Sequence, residues 1–369
     1  MIRSIVTSVL VAASISLCAQ TEVRSMPRTL IQGSTMYPRL IRIAHGSAET
    51  NGHIMANTNR TIFRSTDDGN TWEKRSEVTA IKGSRERCCA ALWELPQDVG
   101  ALKAGTLLFS GTFDEGASAA IQVYTSTDEG STWKYHSTVV KRGWAPHHGL
   151  WEPEFLIARD GSLVIFWSDE TDDCCSQKLT QMRSTDGVTW KDETDTVKSI
   201  EQADRPGMAV VSKLPDGKYF MSYEICGPAY HCAVFSRMSE DGWKWGYNAN
   251  MGTRIVSITG QTLAHAPNNH YMPNGHIYLA GQMVLDANGK VSKDNGKVLF
   301  VSNPQNPLKP WTTTPAPVPV PAAYNDPCPN YSSAMLPTSG GKSFIEIASD
   351  FNEGHRCSVF EGILPLPPQ

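Results

Sequence analysis

Long hydrophobic runs are missing from this 369-residue chain once Leu17 is passed. No later stretch approaches the ~20 consecutive apolar residues of a membrane-spanning helix, so no membrane association is expected of the mature chain. Charge of one sign is missing too. Thirty-three Lys and Arg stand against 37 Asp and Glu, for a net charge of −4, with no basic run and no acidic tail. That balance excludes a nucleic-acid partner and a disordered acidic role. The nine cysteines also lack the C-x-x-C spacing of structural zinc sites, and no metal or cofactor is expected.

What is present begins with an export signal. Arg3 precedes an apolar run from Ile5 to Leu17, and Cys18-Ala19 offers a small residue for cleavage. Residues 1–19 therefore read as a signal peptide and 20–369 as a secreted, extracellular chain. An acylated Cys18 is disfavoured because bulky Leu17 occupies a position that takes a small residue. Eight cysteines remain after cleavage, an even number that suggests disulfides in an exported protein. Cys226 with Cys232 and Cys328 with Cys357 are the expected local pairs; spacing does not pair Cys88, Cys89, Cys174 and Cys175.

Internal repetition fixes the architecture. The sequence STDDGNTW at 65–72 returns as STDEGSTW at 126–133, and one residue shorter as STDGVTW at 184–190 and SEDGWKW at 239–245. These are Asp-boxes, in which Asp and Ser bond the backbone of a tight turn, Gly takes a left-handed dihedral and Trp packs between sheets. Residues 300–311 form a degenerate fifth. A second repeat, strand–turn–strand, carries its turn at Gly52, Gly105, Gly161, Gly217, Gly275 and Gly341, spaced 53 to 66 residues apart. Six such units predict an all-β, sialidase-like six-bladed β-propeller, each blade a four-stranded antiparallel sheet, in one catalytic domain. Blade six runs out of chain before its fourth strand, and Thr29–Gln32 is expected to supply it.

Aligning the units places residues at the pocket end of the axis. Inner strands enter near Arg39, Arg87, Glu152, Arg205, His265 and Tyr331. The second strands return near Asn59, Thr112, Ser168–Glu170, Glu224, Gln282 and Asp350. Charges gathered at a narrow channel are costly unless paired or wet, which points to a working site. Glycoside hydrolysis needs two carboxyl groups flanking one bond. Glu152 and Glu224 are the expected pair, with Asp169 and Glu170 in reserve, and Trp151 is placed to stack on a sugar.

The segments RCCAALWELP (87–96), WEP (151–153), RPGM (205–208), VVSKLPDGKY (210–219), YE (223–224) and NYS (330–332) resemble the family 93 glycoside hydrolases. The likeness covers most of the mature chain. It implies a retaining exo-α-1,5-L-arabinanase that releases arabinobiose from plant cell-wall arabinan or a related oligosaccharide, with two catalytic glutamates mapping onto Glu152 and Glu224. Glu224 is preferred as nucleophile and Glu152 as acid/base, with the reverse left open. Tyr331 is placed to bond the nucleophile or the sugar. Arg39, Arg87, Arg205, His265, His147, His148 and Asp169 are the remaining substrate-binding candidates, and the protein is expected to act as a monomer. A sialidase with Tyr331 as nucleophile is the rival, and it needs three convergent arginines, for which Arg39, Arg237 and Arg254 are available. A non-catalytic sugar-binding propeller is the third reading. Asn330 and Asn59 begin glycosylation sequons, and a glycan on Asn330 would obstruct the pocket.

Overall fold

A computed structural model describes residues 29–31, 36–143, 149–303 and 305–367. The predicted signal peptide lies outside these residues. The described chain is all strand and turn, arranged as six antiparallel sheets. Blade one comprises Arg39–Arg42, Ile54–Thr58, Thr61–Ser65 and Glu73–Glu77, and blade two Arg85–Glu94, Leu107–Asp114, Ser118–Ser126 and Lys134–Gly143. Blade three runs Leu150–Ile157, Leu163–Asp169, Lys178–Ser184 and Lys191–Val197. Blade five has Asn268–Tyr271, Ile277–Ala280, Val298–Val301 and Thr312–Pro315.

Blade four departs from the four-strand expectation. After Arg205–Lys213, Tyr219–Cys226 and Ala233–Ser239, its outer strand shrinks to Thr253–Arg254, and Thr262–Ala264 with Met283–Leu285 extends the sheet instead. Blade six closes the ring as expected. Ala334–Pro337, Ser343–Phe351 and Cys357–Pro365 are completed by Thr29–Ile31, whose residues pair antiparallel with Val359–Glu361.

The sequence dictates this packing through alternation. Strand residues facing one side meet the next blade, so apolar side chains gather into six clusters, one between each neighbouring pair of blades. Phe155, Ile165 and Trp167, all at most 2 % exposed, fill the seam between blades two and three. The Asp-boxes act as outer fasteners. Ser65 Oγ accepts the Gly69 N–H at 2.9 Å and donates to Asp67 Oδ1 at 2.8 Å, while Asp67 accepts the Thr71 N–H. Trp133 and Trp190 then reach back to the preceding blade and donate to Ser76 Oγ (3.2 Å) and Ser137 Oγ (3.1 Å).

All eight cysteines among the described residues pair. Cys226–Cys232 and Cys328–Cys357 form as expected, and the others close on their own neighbours as Cys88–Cys89 and Cys174–Cys175.

Around the axis the inner strands share one device. Tyr37, Cys89, Glu152, Met208, Ala266 and Ser332, one per blade, have φ between 47° and 64°, in the left-handed region. Pairing slips at this point in blades two, three and four, between Cys88 and Ala91, Trp151 and Glu154, and Gly207 and Val210. Such a kink costs about 1 kcal/mol for a non-glycine residue. It turns one side chain towards the pocket end of the axis while the residue two further on (Arg39, Ala91, Glu154, Val210, Asn268, Ala334) faces a cavity at the other end. In three blades a proline follows the kink (Pro38, Pro153, Pro267), and proline has no N–H to leave unpaired there.

Deleting residues 29–31 removes the only strand closing blade six among the described residues. The expected result, read by circular dichroism on heating, is a melting temperature lowered by about 10 °C or more with a broadened transition. Unchanged melting would show that the ring does not depend on this strand.

Candidate active site

The kinked end of the axis holds a pocket of about 340 Å³ lined by Glu152, Glu224, Tyr331, Trp151, Arg205 and His265, together with Glu170, Gln177, Met36, Pro327 and the Cys88–Cys89 and Cys226 sulfurs. Glu152 enters it because the left-handed kink at φ 58° lifts its side chain out of the strand's alternation, and Pro153 locks the following residue. Ser168, fully buried on the neighbouring strand, donates to Glu152 Oε2 at 2.6 Å and itself accepts the Met208 N–H at 3.0 Å. Burial dominates the Glu152 carboxyl and pushes its pKa up to about 7. The Ser168 bond opposes that shift, the nearby charges of Glu224 and Glu170 add to it, and Arg205 offsets them in part.

Glu224 comes from the second strand of blade four and is held differently. Its Oε2 accepts the Ala266 N–H at 2.7 Å and lies 3.4 Å from His265 Nδ1. Its Oε1 is 3.4 Å from Cys226 Sγ, within the Cys226–Cys232 bridge. The two carboxyl groups are thus held differently, Glu224 by a backbone N–H and Glu152 by a hydroxyl in a buried setting that favours its neutral form. Tyr331 lines the same pocket, where burial first and then the fields of Glu152 and Glu224 raise its pKa well above the ordinary tyrosine value.

A second network builds the wall. Trp151 Nε1 donates to Glu170 Oε2 at 2.8 Å, Glu170 pairs with Arg205, and Arg205 also donates to Ser176 Oγ (2.9 Å) and Gln177 Oε1 (2.8 Å). Arg87 lies with its guanidinium 5.1 Å from the Trp151 ring centre and pairs with Asp114 at 3.3 Å, so it braces a pocket wall.

Two sequence-predicted residues are elsewhere. Asp169 turns away from the pocket, accepting the Trp167 indole N–H at 3.3 Å and the Thr171 N–H at 2.8 Å, and it caps the strand end. Arg39 lies beyond the pocket floor in the cavity at the opposite end of the axis. The alignment behind its expected place took Arg39 as the strand's entry, but the kink falls at Tyr37, so Met36 is the blade-one residue that lines the pocket. His147 and His148 fall outside the described residues. Gln177, Ser168, Met36 and the Cys88–Cys89 pair went unrecognised as site residues; Ser168 stood within the Ser168–Glu170 strand end, a position that does signal the pocket.

The sialidase clamp does not assemble. Arg39 is in the other cavity, Arg237 is buried with its guanidinium on the carbonyls of Thr196, Trp245, Tyr247 and Asn248, and Arg254 is exposed on the outer edge of blade four. Asn330 is 7 % exposed and donates to the carbonyls of Gly281 and Gln282, which leaves its amide engaged.

A six-bladed propeller that brings Glu152 and Glu224 into one axial pocket supplies the two carboxyl groups that glycoside hydrolysis requires. No protein-family model and no curated protein matches the chain, but solved structures do. The GH93 α-L-arabinofuranosidase of Fusarium graminearum in complex with arabinobiose aligns with a TM-score of 0.73 at 24 % identity, over 90 % of this chain and 93 % of that one. The Penicillium chrysogenum α-L-arabinanase complexed with arabinobiose gives 0.73 at 27 % identity, over 91 % and 94 %. The Fusarium enzyme with an iminosugar inhibitor gives 0.75 at 24 % identity, over 91 % and 94 %. The chain is thus a glycoside hydrolase by class, similar in architecture to family 93 structures.

Ser168→Ala removes the one side-chain bond that favours the charged form of Glu152. The alkaline limb of the pH profile for hydrolysis is expected to move upward; a profile that stays in place while activity falls would separate Ser168 from Glu152 ionisation.

Proposed function

We propose that the protein is an exported, retaining exo-α-1,5-L-arabinanase that releases arabinobiose from arabinan. The observation that carries this reading is the pair Glu152 and Glu224, the first raised to about 7 by burial and the second facing the Ala266 N–H, in an axial pocket of a fold shared with structures that contain arabinobiose. Four disulfides suit an oxidising, extracellular setting.

In this mechanism Glu152 donates its proton to the glycosidic oxygen as that oxygen leaves, and the Glu224 carboxylate attacks the anomeric carbon from the other face. A glycosyl ester on Glu224 results. Glu152, now ionised, takes a proton from water, whose oxygen attacks the anomeric carbon and frees Glu224, so two inversions give net retention. Tyr331, beside both carboxyl groups, is assigned to orient the nucleophile or the sugar. Trp151, held edge-on by Glu170 and braced by Arg87, offers a flat apolar wall to the sugar ring.

Because the acid must carry its proton, kcat/KM is expected to fall as pH rises through about 7, the value to which burial lifts Glu152. The direct test is product analysis on debranched arabinan, with a fluorogenic sialoside alongside. Arabinobiose from the wild type, with rate losses on the order of 10²–10⁴ in Glu152→Ala and Glu224→Ala, is the expected outcome. Azide added to the two variants then assigns roles: the acid/base variant gives the glycosyl azide with retained configuration and the nucleophile variant gives the inverted one. Sialic acid release, or arabinan cleavage that survives both substitutions, would defeat the proposal.

A further inference from the structure

One wall of the axial pocket takes no part in the proposed reaction. Cys226 stands two residues after Glu224 on the same strand, so alternation turns both side chains to one side. The chain then loops back to Cys232, whose carbonyl accepts the His265 N–H at 2.9 Å. Cys232 and His265 are both left-handed, at φ 58° and 63°, and three segments of the blade-four sheet meet here.

The donor atoms of Cys226, Cys232 and His265 all lie within 4.8 Å of one another, and the three residues are half-buried. Among the described residues no other three His, Cys, Asp or Glu side chains gather so closely, so the other three disulfides lack such a companion. Cys226 Sγ is 4.0 Å from His265 Nδ1. Glu224 faces both, with Oε1 3.4 Å from Cys226 Sγ and Oε2 3.4 Å from His265 Nδ1. A tetrahedral zinc ion, bonded at about 2.3 Å to sulfur and about 2.0 Å to nitrogen or oxygen, sets its ligand atoms about 3.3–3.8 Å apart. The three separations fall close to those edges.

Only the two sulfurs, bonded to each other, are unavailable, because the thiolate is the metal ligand. A trialkylphosphine frees them. Its phosphorus gives two electrons to the S–S bond and leaves as phosphine oxide with the oxygen of water, whose two protons go to the sulfurs. A divalent cation then displaces those two protons, and neutral His265 offers its Nδ1 lone pair. Two thiolates, an imidazole and a carboxylate suit zinc rather than calcium or magnesium.

We propose that opening the Cys226–Cys232 bridge turns this wall into a binding site for a divalent cation of the zinc type, held by Cys226, Cys232 and His265 with the Glu224 carboxylate as fourth ligand. Bound there, the cation occupies the carboxylate that the proposed mechanism uses as nucleophile, and hydrolysis stops. That consequence rests on the proposed function; the binding site does not.

The intact protein, reduced with a water-soluble trialkylphosphine, is titrated with Co²⁺ and then Zn²⁺. The reduced wild type is expected to take up cobalt with thiolate-to-metal charge-transfer absorption that zinc abolishes, and the untreated protein to show none. Cys226→Ser/Cys232→Ser, which keeps the other three bridges, should lose the signal. His265→Ala and Glu224→Gln should each weaken binding by more than the roughly tenfold that loss of an outer partner costs; these two carry the test if the doubly substituted protein does not fold. Zn²⁺ should suppress arabinan hydrolysis by the reduced wild type and spare the untreated enzyme, with a chelator restoring activity. Cobalt binding as expected in a protein that does not cleave arabinan would defeat the proposed function and leave the site standing. A reduced wild type without the charge-transfer signal would overturn the site. So would a signal that persists in Cys226→Ser/Cys232→Ser, or affinity indifferent to His265→Ala or to Glu224→Gln.

Discussion

Six non-glycine residues held left-handed around one axis are the constraint on which the pocket depends. A strand running regularly past the axis would present alternate residues to its two neighbouring blades and offer nothing to the centre. The kink breaks that alternation once per blade, and it does so at the same height in all six. It therefore builds a floor from Tyr37, Cys89, Met208 and Ala266, packed together with Met36, Cys88 and Tyr331, and delivers one acid, Glu152, through the sixfold pattern. Strain of this kind persists only where surrounding structure over-determines it. Here the six interblade clusters and the closed ring supply that surrounding structure.

The two carboxyl groups are held differently because they come from different parts of the blade. Glu152 is part of the kinked floor, in an apolar setting with one hydroxyl for company, so its neutral form is favoured. Glu224 stands at a strand end facing the backbone N–H of Ala266, which the kink in blade five has turned towards it. A single backbone device thus provides both the desolvation of one acid and the donor to the other.

Much of this was legible in the sequence. Blade number, ring closure by residues 29–31, the Asp-box turns and the placement of Glu152, Glu224, Tyr331, Trp151, Arg205 and His265 around one pocket all follow from repeat alignment. Alignment failed where the kink shifts register. Arg39 was read two residues too far along its strand, and that slip moved it from one end of the axis to the other. Asp169 failed for a different reason: it neighbours pocket residues in sequence, but alternation turns it to the opposite side, where a turn needed its oxygens. The adjacent-cysteine pairings stayed open because spacing alone does not say that neighbours in the chain will bond each other. Blade four's shortened outer strand carries no sequence signal that distinguishes it beforehand.

The closure strand has a consequence in time. Thr29 meets Glu361 across nearly the whole length of the chain, so this contact is among the last that a growing polypeptide can make. Contacts so distant in sequence are slow to form, and until they do an unpaired strand edge stays open to other chains. During synthesis the early blades must wait, partly assembled, for the final strand to arrive. Yield of the folded protein should then be governed less by the strength of any blade than by how long that edge is left unattended.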